Sequence, residues 1–329
     1  MKILFWLNNA RYNALPQSLL PAVVALCLAC KSPSFSWLYA VLAIVGVVCA
    51  HLGCNLLDDY FDYKNKGVEI RNNMAAAGMR ARIAKCEYLT SGKATMRQLL
   101  SVAAVFCLIA VALGVVIFLK RGMPVVYIAL IAGVLGYSYS GSPLKLAYRG
   151  LGEIIVAIEF GVLNMIGVYY SACGCFSNEI WTFSIALGLL VANVLFTHSI
   201  MDFEPDKQVG KVTLAVLLNN KKAMLAFSFC FILFPFLVVA AAVIFAGLSL
   251  WYLLVFLALP LACYLFYLMC QFVKGKITAV KPKFWMLPME KWEQIKLAGI
   301  DWFMIRWFLA RNLLMAFSFV LIVVSLLLD

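Results

Sequence analysis

The residues able to do chemistry gather in two short acidic stretches. "NLLDDYFDYKNKG", from Asn55 to Gly67, carries Asp58, Asp59 and Asp62, and "HSIMDFEPDKQVGKVTLAV", from His198 to Val216, carries Asp202 and Asp206. Asp58 with Asp62, and Asp202 with Asp206, stand four residues apart, so each pair projects from one helical face; Asp59 and Asp62, three apart, also share a face. Carboxylate oxygens are hard donors suited to Mg²⁺, an ion that commonly shares its coordination with substrate phosphates. Two such faces at one depth could hold ions that bridge a diphosphate, with nearby lysines neutralising the remaining charge. The other reading is that they are the solvated ends of two helices. Aligning Asp59 on Asp202 also brings Lys64 onto Lys207 and Gly67 onto Gly210, a trace of internal duplication.

Both stretches follow long apolar runs. The 329-residue chain is 65% hydrophobic and 13% charged, against about 45–50% and about 25% for a soluble domain, which makes it a membrane protein. A span needs about 20 apolar residues. Nine candidates satisfy this: 14–31, 37–57, 98–119, 123–141, 151–172, 180–201, 223–247, 249–273 and 303–328. The second and sixth run into the acidic stretches, so their helices should continue past the hydrocarbon. No Pro/Gly/Ser-rich linker interrupts the series, and residues 1–329 read as one all-α membrane domain. Arg11 lies ahead of the first span and Pro16 at its start, with no cleavable signal pattern. Eight of the eleven cysteines lie in apolar runs, where they act as small hydrophobes; Cys173 and Cys175 near a span end are the pair without an assigned part.

Basic residues sort by side. All but Lys31, Lys120 and Arg121 of the 27 lysines and arginines fall on the side that also carries both acidic stretches, which marks that side as cytoplasmic and puts the C-terminus outside. The +12 net charge is then a property of loops facing anionic lipid, with no nucleic acid as partner. A third stretch on this side, "YSYSGSPLKLAYRGLGE" from Tyr137 to Glu153, reads as a loop in which Lys145 and Arg149 either meet an anionic substrate or are ordinary loop charges.

Together these stretches resemble the UbiA-type intramembrane prenyltransferase superfamily, and within it the 1,4-dihydroxy-2-naphthoate polyprenyltransferases. "NLLDDYFDY" with its trailing Gly67 and Glu69 is similar to that family's NxxNDYxDxxxGxD, and "DFEPDKQVGKVTLAV" to its RDxxxDxxxGKxTLAV. "YSGSPLKLAYRGLGE" followed by "FGVLNMIGVYY" resembles its loop and fifth span, and "ARYNALPQSLLP" its opening. The resemblance implies about nine helices around a central cavity, and Mg²⁺-dependent ionisation of a polyprenyl diphosphate with transfer of the chain to an aromatic acceptor. It places Asp59, Asp62, Asp202 and Asp206 on the metals, with Asn55 and Asp58 in support. Lys64, Arg149, Lys207 and Lys211 would bind diphosphate, and Tyr139, Lys145, Met201 and Glu159 would face the cavity or the acceptor. The implied setting is multi-pass, in the inner cytoplasmic membrane, with the site on the cytoplasmic side.

The departures bear on the acceptor. "HSIMD" stands where the naphthoate enzymes usually carry NNxRD, so Met201 replaces an arginine and His198 an asparagine. Glu159 lies inside the fifth span, where the family is apolar, and reads either as a paired interior group or as an acceptor-binding acid. His51 precedes Asn55 by one turn, as His198 precedes Asp202. Rival readings are another acceptor, such as 4-hydroxybenzoate, a tocopherol precursor or a glycerophospholipid, and a cation-coupled transporter. Transporters carry such charges near the midplane on broken helices.

Overall fold

The computed structural model describes residues 3–64, 86–208, 210–277 and 280–328; Gly67 and Glu69 of the first motif lie outside them. Among the described residues the protein is helical throughout, with a single isolated bridge between Arg149 and Val212. Nine apolar helices among the described residues form the body: α1 (Pro16–Ala29), α2 (Trp37–Lys64), α3 (Met96–Arg121), α4 (Met123–Ser140), α5 (Gly152–Cys173), α6 (Asn178–Met201), α7 (Lys221–Phe245), α8 (Leu250–Val273) and α9 (Asp301–Leu327). Eight are long and apolar enough to cross a bilayer. α1 has 14 residues, roughly 21 Å at 1.5 Å per residue, and is shorter than the span read from 14–31. The eleven cysteines are all free, and Cys175 Sγ lies 3.5 Å from Cys173 Sγ.

The helices divide by what they face. α6 is buried along most of its length and forms the centre of the bundle, whereas α3 turns Val105, Leu108, Val111, Val115 and Leu119 outward. An apolar face of that size suits contact with lipid. α5 and α6 meet backbone to backbone: a Cβ on Gly161 would lie 2.2 Å from Gly188 Cα, so neither position has room for a side chain.

Two local breaks place the chemistry. α2 runs unbroken to Lys64, as its continuous pattern predicts. α6 does not continue through its acidic stretch. It stops at Met201, and a separate helix, Phe203–Gln208, follows. Pro205 explains the break, because in a continuous helix its ring would strike the carbonyl of Met201 and it has no N–H to donate there. Asp206 N–H still bonds Asp202 C=O at 2.8 Å, so the two aspartates keep their one-turn spacing across the break. In α5, residues Ala157–Leu163 are π-helical, and Asn164 Nδ2 takes up the Phe160 carbonyl at 3.0 Å. Such bulges are frequent at functional sites.

Candidate active site

The first acidic stretch sits on the last two turns of α2. Asp59 and Asp62 are each 3% exposed, and buried carboxylates require compensation. Arg11 supplies it for two of them: its Nη2 lies 3.1 Å from Asp58 Oδ2 and also ion-pairs with Asp59 Oδ1. Arg11 itself adopts a left-handed backbone, φ 58° and ψ 50°, a conformation unusual for a side-chain-bearing residue. Burial disfavours its charge, but Asp59 and Asp58 outweigh this and raise its pKa. Ser140 Oγ donates to Asp58 Oδ1 at 2.6 Å, Tyr88 Oη to Asp59 Oδ2 at 3.1 Å, and Tyr148 Oη to Asp62 Oδ1. Asn55 Nδ2 donates to Ala10 C=O at 2.9 Å, which fixes the N-terminal segment against α2.

The second stretch closes the same end of the bundle. Asp202 and Asp206 are each 2% exposed, and His198 Nε2 lies 3.0 Å from Asp202 Oδ2. Glu153, also buried, accepts from Ser199 Oγ at 2.6 Å and from Leu214 N–H at 3.4 Å. It thereby ties the start of α5 to the end of α6 and to the segment after it. Gly150 N–H bonds Val212 C=O at 2.8 Å, joining the third stretch to the second.

Between these ends lies a cavity of about 370 Å³. Its mouth is built by Arg11, Asn55, Asp58, Tyr139, Ser140 and His198, and its interior by Cys54, Gly136, Ile155, Val156, Phe160 and Val194, with Phe303, Met304 and Trp307 contributed by α9. Glu159 stands on the inner wall. The cavity is thus polar at the acidic end and apolar within, with room for a molecule of the same character.

The structure brings some expected residues to this cavity and keeps others away. Asn55, Asp58, Tyr139 and Glu159 line it; Asp59, Asp62, Asp202 and Asp206 stand behind its polar end, held by the contacts above. Met201 does not reach it: it is 5% exposed and packs against Phe303, which forms the wall in its place. The five basic residues are not on the wall either. Lys64 is exposed with Nζ 6.0 Å from the Tyr60 ring; Lys207 bonds Asn219 Oδ1 at 3.3 Å; Arg149 bonds Pro143 C=O at 3.3 Å. Lys145 is half-buried in the loop before α5, and Lys211 acts electrostatically on Glu153. Sequence reading assigned no role in the site to Arg11, Ser140, Tyr88, Tyr148 or Glu153. The contacts joining Arg11, Ser140, Tyr88 and Tyr148 to the aspartates span 29 to 86 residues of sequence, a separation that local spacing does not encode.

Among the described residues no three His, Cys, Asp or Glu converge as a ready-made metal cage. The donors present still fit Mg²⁺, which is ordinarily held by one or two carboxylates together with water and substrate phosphates. All five aspartates offer oxygen; Asp58 lines the cavity and the other four are buried next to residues that do.

Comparison with known proteins agrees with this arrangement. The family model described as "UbiA prenyltransferase family" matches residues 18–287. The 1,4-dihydroxy-2-naphthoate octaprenyltransferase of Bacillus subtilis is 26% identical over 252 residues, covering 76% of this chain and 77% of that protein. The 2-carboxy-1,4-naphthoquinone phytyltransferase of Synechocystis is 31% identical over 169 residues, 51% of this chain and 50% of that protein. A UbiA homologue from Archaeoglobus fulgidus, solved bound to GPP and Mg²⁺, shares the fold with a TM-score of 0.60 at 18% identity, over 97% of this chain and 99% of that one.

Proposed function

The chain belongs to the UbiA prenyltransferase family, and from that premise we propose that it transfers a polyprenyl chain from polyprenyl diphosphate to 1,4-dihydroxy-2-naphthoate in menaquinone synthesis. The observation that carries this reading is the polarity of the cavity. Its acidic mouth suits a metal-bound diphosphate, and its apolar interior suits an isoprenoid chain and a flat ring. Asp59, Asp62, Asp202 and Asp206 are the residues that would hold Mg²⁺, whose charge, when bound, favours departure of diphosphate. Asn55 and Asp58 orient that end of the site. Lys64, Arg149, Lys207 and Lys211 add positive charge on the same face, where Lys145 is also found. The walls formed by Ile155, Phe160, Val194 and Phe303 exclude water from the allylic cation. Tyr139 contributes an aromatic edge at the mouth. The site faces the cytoplasm, where the soluble acceptor is found, in an inner membrane.

The curated relatives support the naphthoate acceptor, and Met201 argues for testing it directly. Purified protein should be assayed with 1,4-dihydroxy-2-naphthoate and with 4-hydroxybenzoate, each with prenyl diphosphates of several lengths. The expected result is transfer to the naphthoate, requiring Mg²⁺ or Mn²⁺ and abolished by EDTA. Full activity in metal-free buffer overturns the metal role. Transfer only to the benzoate replaces the acceptor and leaves the reaction class standing.

A further inference from the structure

The inner wall of the cavity holds one feature that metal and diphosphate do not use. Glu159 lies on α5 seven residues beyond Gly152, roughly 10 Å deeper than the polar end at 1.5 Å per residue. It sits inside the π-helical segment Ala157–Leu163, whose altered turn redirects side chains relative to the rest of α5. Its Oε1 is buried and has no hydrogen-bond partner among the described residues. The Gly136 backbone reaches the carboxyl and the Cys54 thiol stands near it; the His51 ring is committed, stacked on Phe160 at 4.4 Å with Nδ1 2.7 Å from Ser18 Oγ. An unmatched carboxylate oxygen in such a place costs stability, and a bound molecule that offers a donor there recovers that cost. Intramembrane acids of this kind face cavities and mark function.

We propose that Glu159 binds a hydroxyl of the aromatic acceptor through its unpartnered oxygen and takes that hydroxyl's proton as the new carbon–carbon bond forms. The inference rests on the prenyltransferase reading above and adds the residue that holds the acceptor's hydroxyl. As the O–H bond breaks, its proton passes to Oε1 and its electron pair becomes a ring carbonyl. The ring carbon's π pair forms the bond to the allylic carbon, whose bond to diphosphate breaks with the pair leaving on oxygen. The attacked carbon then loses CO₂, or loses H⁺ to the departed diphosphate, its bond pair restoring the aromatic ring, and Glu159 returns its proton to the ring oxygen. The form of Glu159 that reacts is the carboxylate, and it is restored at the end. The same contact selects against aromatic compounds without a donor, because they leave the carboxylate oxygen unpaired in the occupied cavity.

The test combines two substitutions with one altered substrate. Glu159→Gln keeps size and polarity and removes the base. It should lower kcat with a hydroxylated naphthoate at least ~100-fold while the KM for prenyl diphosphate moves less than about twofold. Glu159→Asp should recover part of the lost rate. For the unaltered protein, the methyl ether of the same acceptor should react at least ~100-fold more slowly than the free hydroxyl compound. Substituting Glu159 should add little to that deficit, because both changes remove one interaction. An unaltered kcat in Glu159→Gln, or equal rates for the hydroxyl compound and its ether, overturns the proposal. If the unaltered protein prenylates no aromatic compound, the functional reading fails separately. Equilibrium binding of the naphthoate then decides Glu159, and equal affinity for protein and Glu159→Gln variant rejects it.

Discussion

Arg11 is the residue on which the polar end of the cavity is organised. Arg11 Nη2 alone meets two carboxylates on the last turns of α2, and a guanidinium stays charged on burial where lysine's ammonium loses its proton more readily. Removing it strands two acids in a buried setting. The Arg11 side chain is 23% exposed, so the loss on Arg11→Ala should fall at the low end for a broken buried pair, about 3 kcal/mol, with Arg11→Lys recovering only part. Thermal unfolding of the detergent-solubilised variants measures both, and equal melting temperatures for all three proteins contradict the bridge. Tyr88 gives a pH signature. Burial first, and then the Asp59 charge, raise its pKa above the ordinary tyrosine range. A raised folded-state pKa means the stabilisation is complete below about pH 10, where the unfolded tyrosine titrates, and is lost as pH rises beyond it. Melting temperature should therefore fall more steeply above about pH 10 in the unaltered protein than in Tyr88→Phe. Parallel curves count against the Tyr88–Asp59 bond.

At the scale of elements, the contact of α5 with α6 sets the register of the site, since Glu159 projects from one helix and His198 from the other. The contact depends on two glycines, because only hydrogen fits where the backbones touch. Gly161→Ala forces the helices apart and should destabilise the bundle by about 1–3 kcal/mol, the usual cost of overpacking. Gly114→Ala on α3, with nothing within 4 Å of its added methyl, serves as the control and should leave the melting temperature unchanged or slightly raised. A Gly161→Ala protein as stable as this control excludes the close packing. The segment between α8 and α9 is likewise anchored: Asn312 Nδ2 donates to Met286 C=O at 2.8 Å, and Arg311 pairs with Glu290 at 2.9 Å. It packs against α9, which supplies Phe303, Met304 and Trp307 to the cavity wall.

For the whole molecule, the question is which face of the membrane receives the substrates. The ends of α2, α4 and α6 meet at one pole, shared by the basic loops. Placing a cysteine at exposed Lys222, and another at exposed Leu250 near the opposite pole, in a background without native cysteines, tests this in oriented vesicles. A membrane-impermeant maleimide should reach Lys222→Cys only in inside-out vesicles and Leu250→Cys only in right-side-out ones. The reverse pattern inverts the topology and separates the acidic pole from a cytoplasmic acceptor.

Membrane class, the succession of apolar helices and the two aspartate groups were legible in the sequence. Each follows from a property local in the chain: run length against bilayer thickness and helical spacing within a turn. The all-helical fold follows from the same patterns, and the family from the motif resemblance. Pro205 also stood in the sequence, although its consequence, the early end of α6, required knowing that the helix would otherwise reach it. Tertiary structure alone decided which acids meet which partners. Arg11 lies 47 residues from Asp58, and Tyr148 lies 86 from Asp62, and no periodicity relates such positions. It also decided that Phe303 rather than Met201 forms the wall, that the expected basic residues stand off the cavity, and that Glu159 faces inward with an open oxygen. Those outcomes depend on how helices rotate about their axes when they pack, and that rotation is set by the joint fit of all nine.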